Sequence, residues 1–137
     1  MFKRLSVSIL ATVMLLGSVS NVYAATHTST ATVYGNSTVA GKDGAVINGG
    51  NKNAKFTCTA SAPSGKQVEG DCQVFELIGT NEIAEVAYFF VDTKNKKESK
   101  DVYLASGKKY FVKASYDWLF SDKLSTVTVK ATLTYSN

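Results

Sequence analysis

Arginine occurs once in the 137 residues, at position 4, and histidine once, at position 27; cysteine occurs twice and tryptophan once. Each scarcity closes a class of function. With no guanidinium beyond Arg4, nothing can fork onto a phosphate or a guanine edge, which excludes sequence-specific recognition of nucleic acid. A Ser-His-acid triad needs a rigidly held histidine, and His27 lies in a Thr- and Ser-rich stretch (Thr26 to Thr32) expected to fray as a solvated terminal segment. Two thiols and one imidazole leave zinc short of a fourth ligand, and the gap between Cys58 and Cys72 is too long for a CxxC redox pair. No metal site and no cofactor is expected.

Long apolar runs are missing too, and the one short run has a different meaning. Leu5 to Leu16 is interrupted only by Ser6, Ser8 and Thr12, follows Lys3 and Arg4, and gives way to a polar stretch ending in Val22-Tyr23-Ala24. A positive start, an apolar run too short to span a bilayer and a small-x-small end form the pattern of a secretory signal peptide. Residues 1–24 are therefore expected to be removed between Ala24 and Ala25. Residues 25–137 would then be a single domain that is secreted, periplasmic or otherwise extracellular. Losing Lys3 and Arg4 lowers the formal charge from +4 to +2 and leaves lysine as the sole basic residue besides His27. A mildly basic lysine surface favours anionic lipids or polymers. In an exported chain Cys58 and Cys72 are expected to form one structural disulfide.

What is present in quantity is alternation. Val127, Val129, Ala131, Leu133 and Tyr135 fall on one face of residues 125–135, and Thr126, Thr128, Lys130, Thr132 and Thr134 on the other, the period of a half-buried strand. Residues 109–117 alternate likewise, with Tyr110, Val112, Ala114 and Tyr116 inward. Ser106-Gly107-Lys108 reads as a hairpin turn from a short strand at 101–105. Residues 55–61 place Phe56, Cys58 and Ala60 inward; residues 71–78 are strand-like, but Glu76 shares a face with Cys72 and Val74, which calls for a wet edge or a bulge. Weaker strands are expected at 28–34 and 39–47. Residues 83–91 fit helical spacing, yet the Tyr88-Phe89-Phe90-Val91 run favours a central strand buried on both faces. Seven or eight short strands predict an all-β fold, an antiparallel β-sandwich of immunoglobulin-like size, although Trp118 follows both cysteines and the immunoglobulin order is absent.

Chemistry-bearing clusters are sparse. Glu69, Asp71, Glu76, Glu82 and Glu85 contain enough acid for a glycosidase-like pair, and surface solubility explains them equally well. Asp92, Asn95 and Glu98 hint at calcium, but Lys94, Lys96 and Lys97 interleave with them. Asn36-Ser37-Thr38 is a glycosylation sequon in a eukaryotic host only.

Two loops stand out: 92–100, with four lysines, and 117–123, where Trp118, Leu119 and Phe120 are consecutive. Strands that reverse at Gly107 bring both to the same end, and the 58–72 loop with Lys66 joins them if 83–91 is a strand and each strand upstream also reverses. Lys94, Lys96, Lys97, Trp118, Leu119 and Phe120 are accordingly the candidate binding residues. Lysines around an apolar tip fit an anionic membrane surface, and an aromatic tip also fits a cell-surface glycan. The opposing reading folds Trp118 and Phe120 back as a plug in the open end of the sandwich. The expectation is a non-catalytic secreted binding or surface-active module, bacteriocin- or toxin-like if it oligomerises. The alternatives are a structural or matrix protein self-associating through strand edges at 28–34 and 125–135, and a small hydrolase using carboxylates.

Overall fold

Nine strands in two antiparallel sheets face each other in a computed structural model that describes residues 25–137. The predicted signal peptide and its cleavage junction at Ala24 lie outside the described residues or at their boundary. The strands are β1 (Thr26–Tyr34), β2 (Gly41–Asp43), β3 (Ile47–Asn48), β4 (Lys52–Ser61), β5 (Glu69–Leu77), β6 (Ile83–Asp92), β7 (Lys97–Leu104), β8 (Lys109–Tyr116) and β9 (Thr128–Ser136). One sheet runs β1-β9-β4-β7; the other runs β2-β8-β5-β6, with β3 also paired to β8. The all-β sandwich is as expected. The strand count exceeds expectation because 39–47 is two pieces laid end to end along β8, with the Gly44 amide donating to the Val112 carbonyl between them.

The inward faces follow the period-two pattern. Val129, Ala131, Leu133 and Tyr135 of β9 are buried against Tyr110, Val112, Ala114 and Tyr116 of β8, with Phe56, Leu104, Val74 and Val91 closing the core. Cys58 of β4 and Cys72 of β5 sit in opposite sheets with Cα atoms 5.7 Å apart, and their disulfide bolts the sheets through the core.

Four readings change in three dimensions. Ala105 to Lys108 does reverse the chain, with Gly107 at φ 81° and Lys108 N–H donating to Ala105 O, but β7 and β8 then join different sheets. The reversal is an arch across the sandwich rather than a hairpin. Residues 83–91 are a strand, yet β6 is an edge strand that pairs only with β5 among the described residues and is buried on one face: Ala87, Phe89 and Val91 turn toward the core, and Tyr88 and Phe90 face outward. Residues 26–32 do not fray: β1 pairs along its whole length with β9, and the His27 ring stacks on Tyr135 at 4.6 Å. Glu76 lies opposite Tyr110 near the far end of β5 and forms an ion pair with Lys108 at 3.0 Å; the bulge sits in β6, where Val86 is the extra residue.

β9 lies between β1 and β4, so its Thr-rich face is the face of a central strand with no free edge to pair. Of the two segments named for edge association, only β1 is an edge.

Candidate functional site

The end of the sandwich where β4, β6 and β8 finish is held by a short strut, residues 67–69, that enters β5. Gln67 and Asp122 bind reciprocally: Gln67 N–H donates to Asp122 Oδ2 (2.7 Å) and Asp122 N–H to Gln67 O (2.9 Å). Glu69 N–H donates to Ser121 Oγ, whose hydroxyl donates back to Glu69 O, both at 3.0 Å, and Asp117 N–H donates to the same carbonyl. On the other side of the strut, Val68 N–H donates to Thr93 Oγ1 and that hydroxyl returns to Val68 O. The loops 93–96 and 117–127 are thus stitched to one segment from opposite sides, which is why they share an end.

The carboxylates that the sequence places among the lysines mostly shape these turns. Asp92 Oδ1 accepts from the N–H groups of Lys94 and Asn95, and the Asn95 amide donates to Glu98 Oε1. The trio considered for calcium is spent on building a turn. Asp117 Oδ1 accepts from Leu119 N–H in the same way.

On this braced loop Trp118, Leu119 and Phe120 are 47%, 87% and 55% exposed. The plug reading therefore does not describe the molecule: buried Val68, Val127 and Ser121 close the core beneath the loop instead. Trp118 is not free on both faces, since it stacks on Tyr116 with ring centroids 6.1 Å apart. Tyr116 is buried and its hydroxyl donates to Ser37 O at 2.7 Å, so it is a fixed base for the indole.

The six candidate residues separate into groups. Lys94 and Phe120 line one groove of about 300 Å3 together with Gln67 and Asp92. Leu119 and Phe120 line a second with Gly65 and Asp122. Lys96 is on the same turn, its carbonyl accepting from Ala60 N–H. Lys97 opens β7 opposite Thr59, in the four-stranded sheet. Lys123, not singled out in the sequence, lines a groove with Trp118 and Asn36.

Sequence reasoning also missed what lies on the far side of Trp118. A groove of about 340 Å3 runs onto the outer face of the five-stranded sheet, between Trp118 and the outward rings of Tyr88 and Phe90, with Glu69, Asp71 and Asp117 around it. Burial pushes the Asp71 carboxyl above its ordinary value, with Glu85 adding to the effect and Lys113 opposing it. Burial, then the nearby Asp71 and Glu85 charges, raises the Tyr88 phenol. The available signal was three consecutive aromatic residues on an alternating strand, which must send at least one ring outward.

Of the remaining acids, Glu85 accepts from Gln73 Nε2 at 2.6 Å, and Glu82 lies in the turn that closes the β5–β6 hairpin. No helix among the described residues is long and apolar enough to cross a membrane. No family model matches the chain, and no curated protein matches it in sequence. Among solved structures, the crystal structure of the Yersinia pseudotuberculosis-derived mitogen is similar at 14% identity, over 84% of this chain and 88% of that one, with a TM-score of 0.43. A likeness of that size assigns this chain neither a family nor a ligand.

Proposed function

We propose that this protein is a non-catalytic binding module acting outside the cytoplasm, which attaches to anionic lipid surfaces through the loop end bearing Trp118, Leu119 and Phe120. The observation that carries the reading is Leu119. An aliphatic side chain 87% exposed between two exposed aromatic ones, on a loop pinned by Asp117, Ser121 and Asp122, is held ready to be buried rather than tucked away. A sugar platform needs flat ring faces and has no use for Leu119, and one face of Trp118 is already covered by Tyr116. The disulfide fits a non-reducing compartment.

Fully burying Leu119 and Phe120 contributes about 1.5–3 kcal/mol each. Lys94, which shares a groove with Phe120, and Lys123, which shares one with Trp118, add roughly 1 kcal/mol apiece beside anionic headgroups. Trp118 prefers the headgroup layer. After the cost of immobilising the domain, one copy binds weakly, and binding falls with salt because the lysine part is screened.

The lone Trp118 reports the event. Its emission is expected to start red-shifted, move blue as anionic vesicles are added, and move less as ionic strength rises. Leu119→Ser with Phe120→Ser should abolish the shift while leaving the thermal transition unchanged, since neither side chain supports the core. A shift with soluble cell-wall glycans and none with vesicles would overturn the lipid reading.

A further inference from the structure

We propose that the groove between Trp118 and the β6 rings of Tyr88 and Phe90, floored by Asp71, is a binding site for an organic cation carrying a quaternary ammonium group. The walls and floor lie along a row of four strands in register. Asp71 on β5 lies directly opposite Phe90 on β6 and Ser115 on β8, and Ser115 lies opposite Gly41 on β2. Across the sheet this row reads aromatic, acid, small, absent; the Lys113 side chain lies over Gly41, so the depression opens beside Asp71 between Phe90 and Ser115, with Phe90 as one wall. Trp118, backed by buried Tyr116, closes the end of the row. Phe90 and Tyr88 are 42% and 44% exposed, whereas the other aromatic pair of this face, Phe75 and Phe111, stack on each other further along it.

The charge of the groove selects the ligand. Glu69, Asp71 and Asp117 line it and no lysine does, although the chain as a whole is basic. Among the described residues, the side chains of Asp71 and Glu69 accept no hydrogen bond and form no ion pair. Lys113 starts one row away, opposite Gln73, and its side chain reaches over Gly41 at the β2 end of the row, while Glu85 offsets it from β6. An anion would be repelled here. A neutral ligand would strip more water from Asp71 without answering its charge. A small metal ion needs several oxygen ligands in place of the rings, and a primary ammonium is held by its hydration. A quaternary ammonium presents an apolar methyl surface to aromatic faces and a diffuse positive charge to a carboxylate that need not touch it.

The same trimethylammonium chemistry is borne by phosphocholine lipid headgroups and by phosphocholine attached to soluble surface polymers. The groove uses Asp71, Tyr88 and Phe90, whereas the lipid tip uses Leu119 and Phe120, so the two readings fail separately. The test is a titration of the purified protein with choline chloride and with tetramethylammonium chloride, against sodium chloride at equal ionic strength. Trp118 emission and the ring-proton NMR signals of Tyr88 and Phe90 are two independent readouts. Saturable changes with both organic cations and none with sodium are expected. Phe90→Ala and the near-isosteric Asp71→Asn should each weaken binding about tenfold, while Leu119→Ser with Phe120→Ser should leave it unchanged. Absence of saturation in both readouts, a response to neutral saccharides alone, or unchanged affinity in Asp71→Asn would overturn the site. With the tip doubly substituted, retained binding to phosphatidylcholine vesicles over phosphatidylglycerol identifies the headgroup as the source. Binding only to a soluble phosphocholine-bearing polymer identifies the polymer, and both results uphold the site.

Discussion

Ser29 sits in the inward face of β1, fully buried, with its hydroxyl oxygen accepting from Val112 N–H of the opposite sheet at 3.1 Å. The chain between β2 and β3 pulls away from β8 there, and Ser29 satisfies the donor that this leaves behind. Ser29→Ala should lower stability by about 1–3 kcal/mol, the cost of an orphaned buried donor, read as a fall in the denaturant midpoint. Asp71 is the opposite case, a residue that weakens the fold it belongs to. Its folded-state pKa is raised by burial, so the native state holds the proton more tightly than the unfolded chain. The resulting destabilisation is fully present above the folded pKa and vanishes below the ordinary carboxylate range. Asp71→Asn is therefore expected to melt higher than the parent at neutral pH, with the difference closing as pH falls through the carboxylate range. A carboxylate kept at such a position is consistent with a role in binding.

Turn chemistry and strand pairing come apart at the level of elements. Gly107 marks a reversal in the sequence and supplies one, but the strands it joins enter opposite sheets. A turn residue reports a local backbone angle, whereas pairing depends on which distant strand offers a free edge. The same distinction explains β6: its aromatic content was legible, and its edge position was not, because that depends on β5 taking β8 as its other neighbour. The loop 117–127 shows how an exposed apolar tip is kept in place. Gly35 lies so close beneath it that a Cβ there would collide with the carbonyl oxygens of Asp122 and Leu124. Gly35→Ala should push the loop off the strut and accelerate amide hydrogen exchange at Asp122 and Val127. Ser121→Ala, which removes both bonds to Glu69, should do the same at Glu69 without disturbing β9.

For the whole molecule, the two sheets are tied by one covalent bond. Reducing the Cys58–Cys72 bridge, or replacing both residues with Ala, should cost up to ~3 kcal/mol in the chain-entropy model, visible as a lower melting temperature under reducing conditions. Beside the disulfide, where Phe89 lies opposite Cys72 and Lys100 opposite Phe56, Lys100 extends over the Phe89 ring at 5.1 Å, and Phe89 stacks on Phe56. This inward lysine shields the seam between β6 and β7 and discourages pairing along β7. The strand periods, the inward faces of β4, β8 and β9, the disulfide and the shared end of the two loops were all determined by the sequence itself, because alternation and chain reversal are local properties. Tertiary structure alone decided which sheet each strand joined, that Trp118 rests on Tyr116 instead of filling the core, that Lys97 lies opposite Thr59 in the four-stranded sheet, and that Asp71 meets Phe90. Those outcomes depend on contacts between residues far apart in the chain, whose register is set by packing the two sheets together and leaves no trace in any short stretch of sequence.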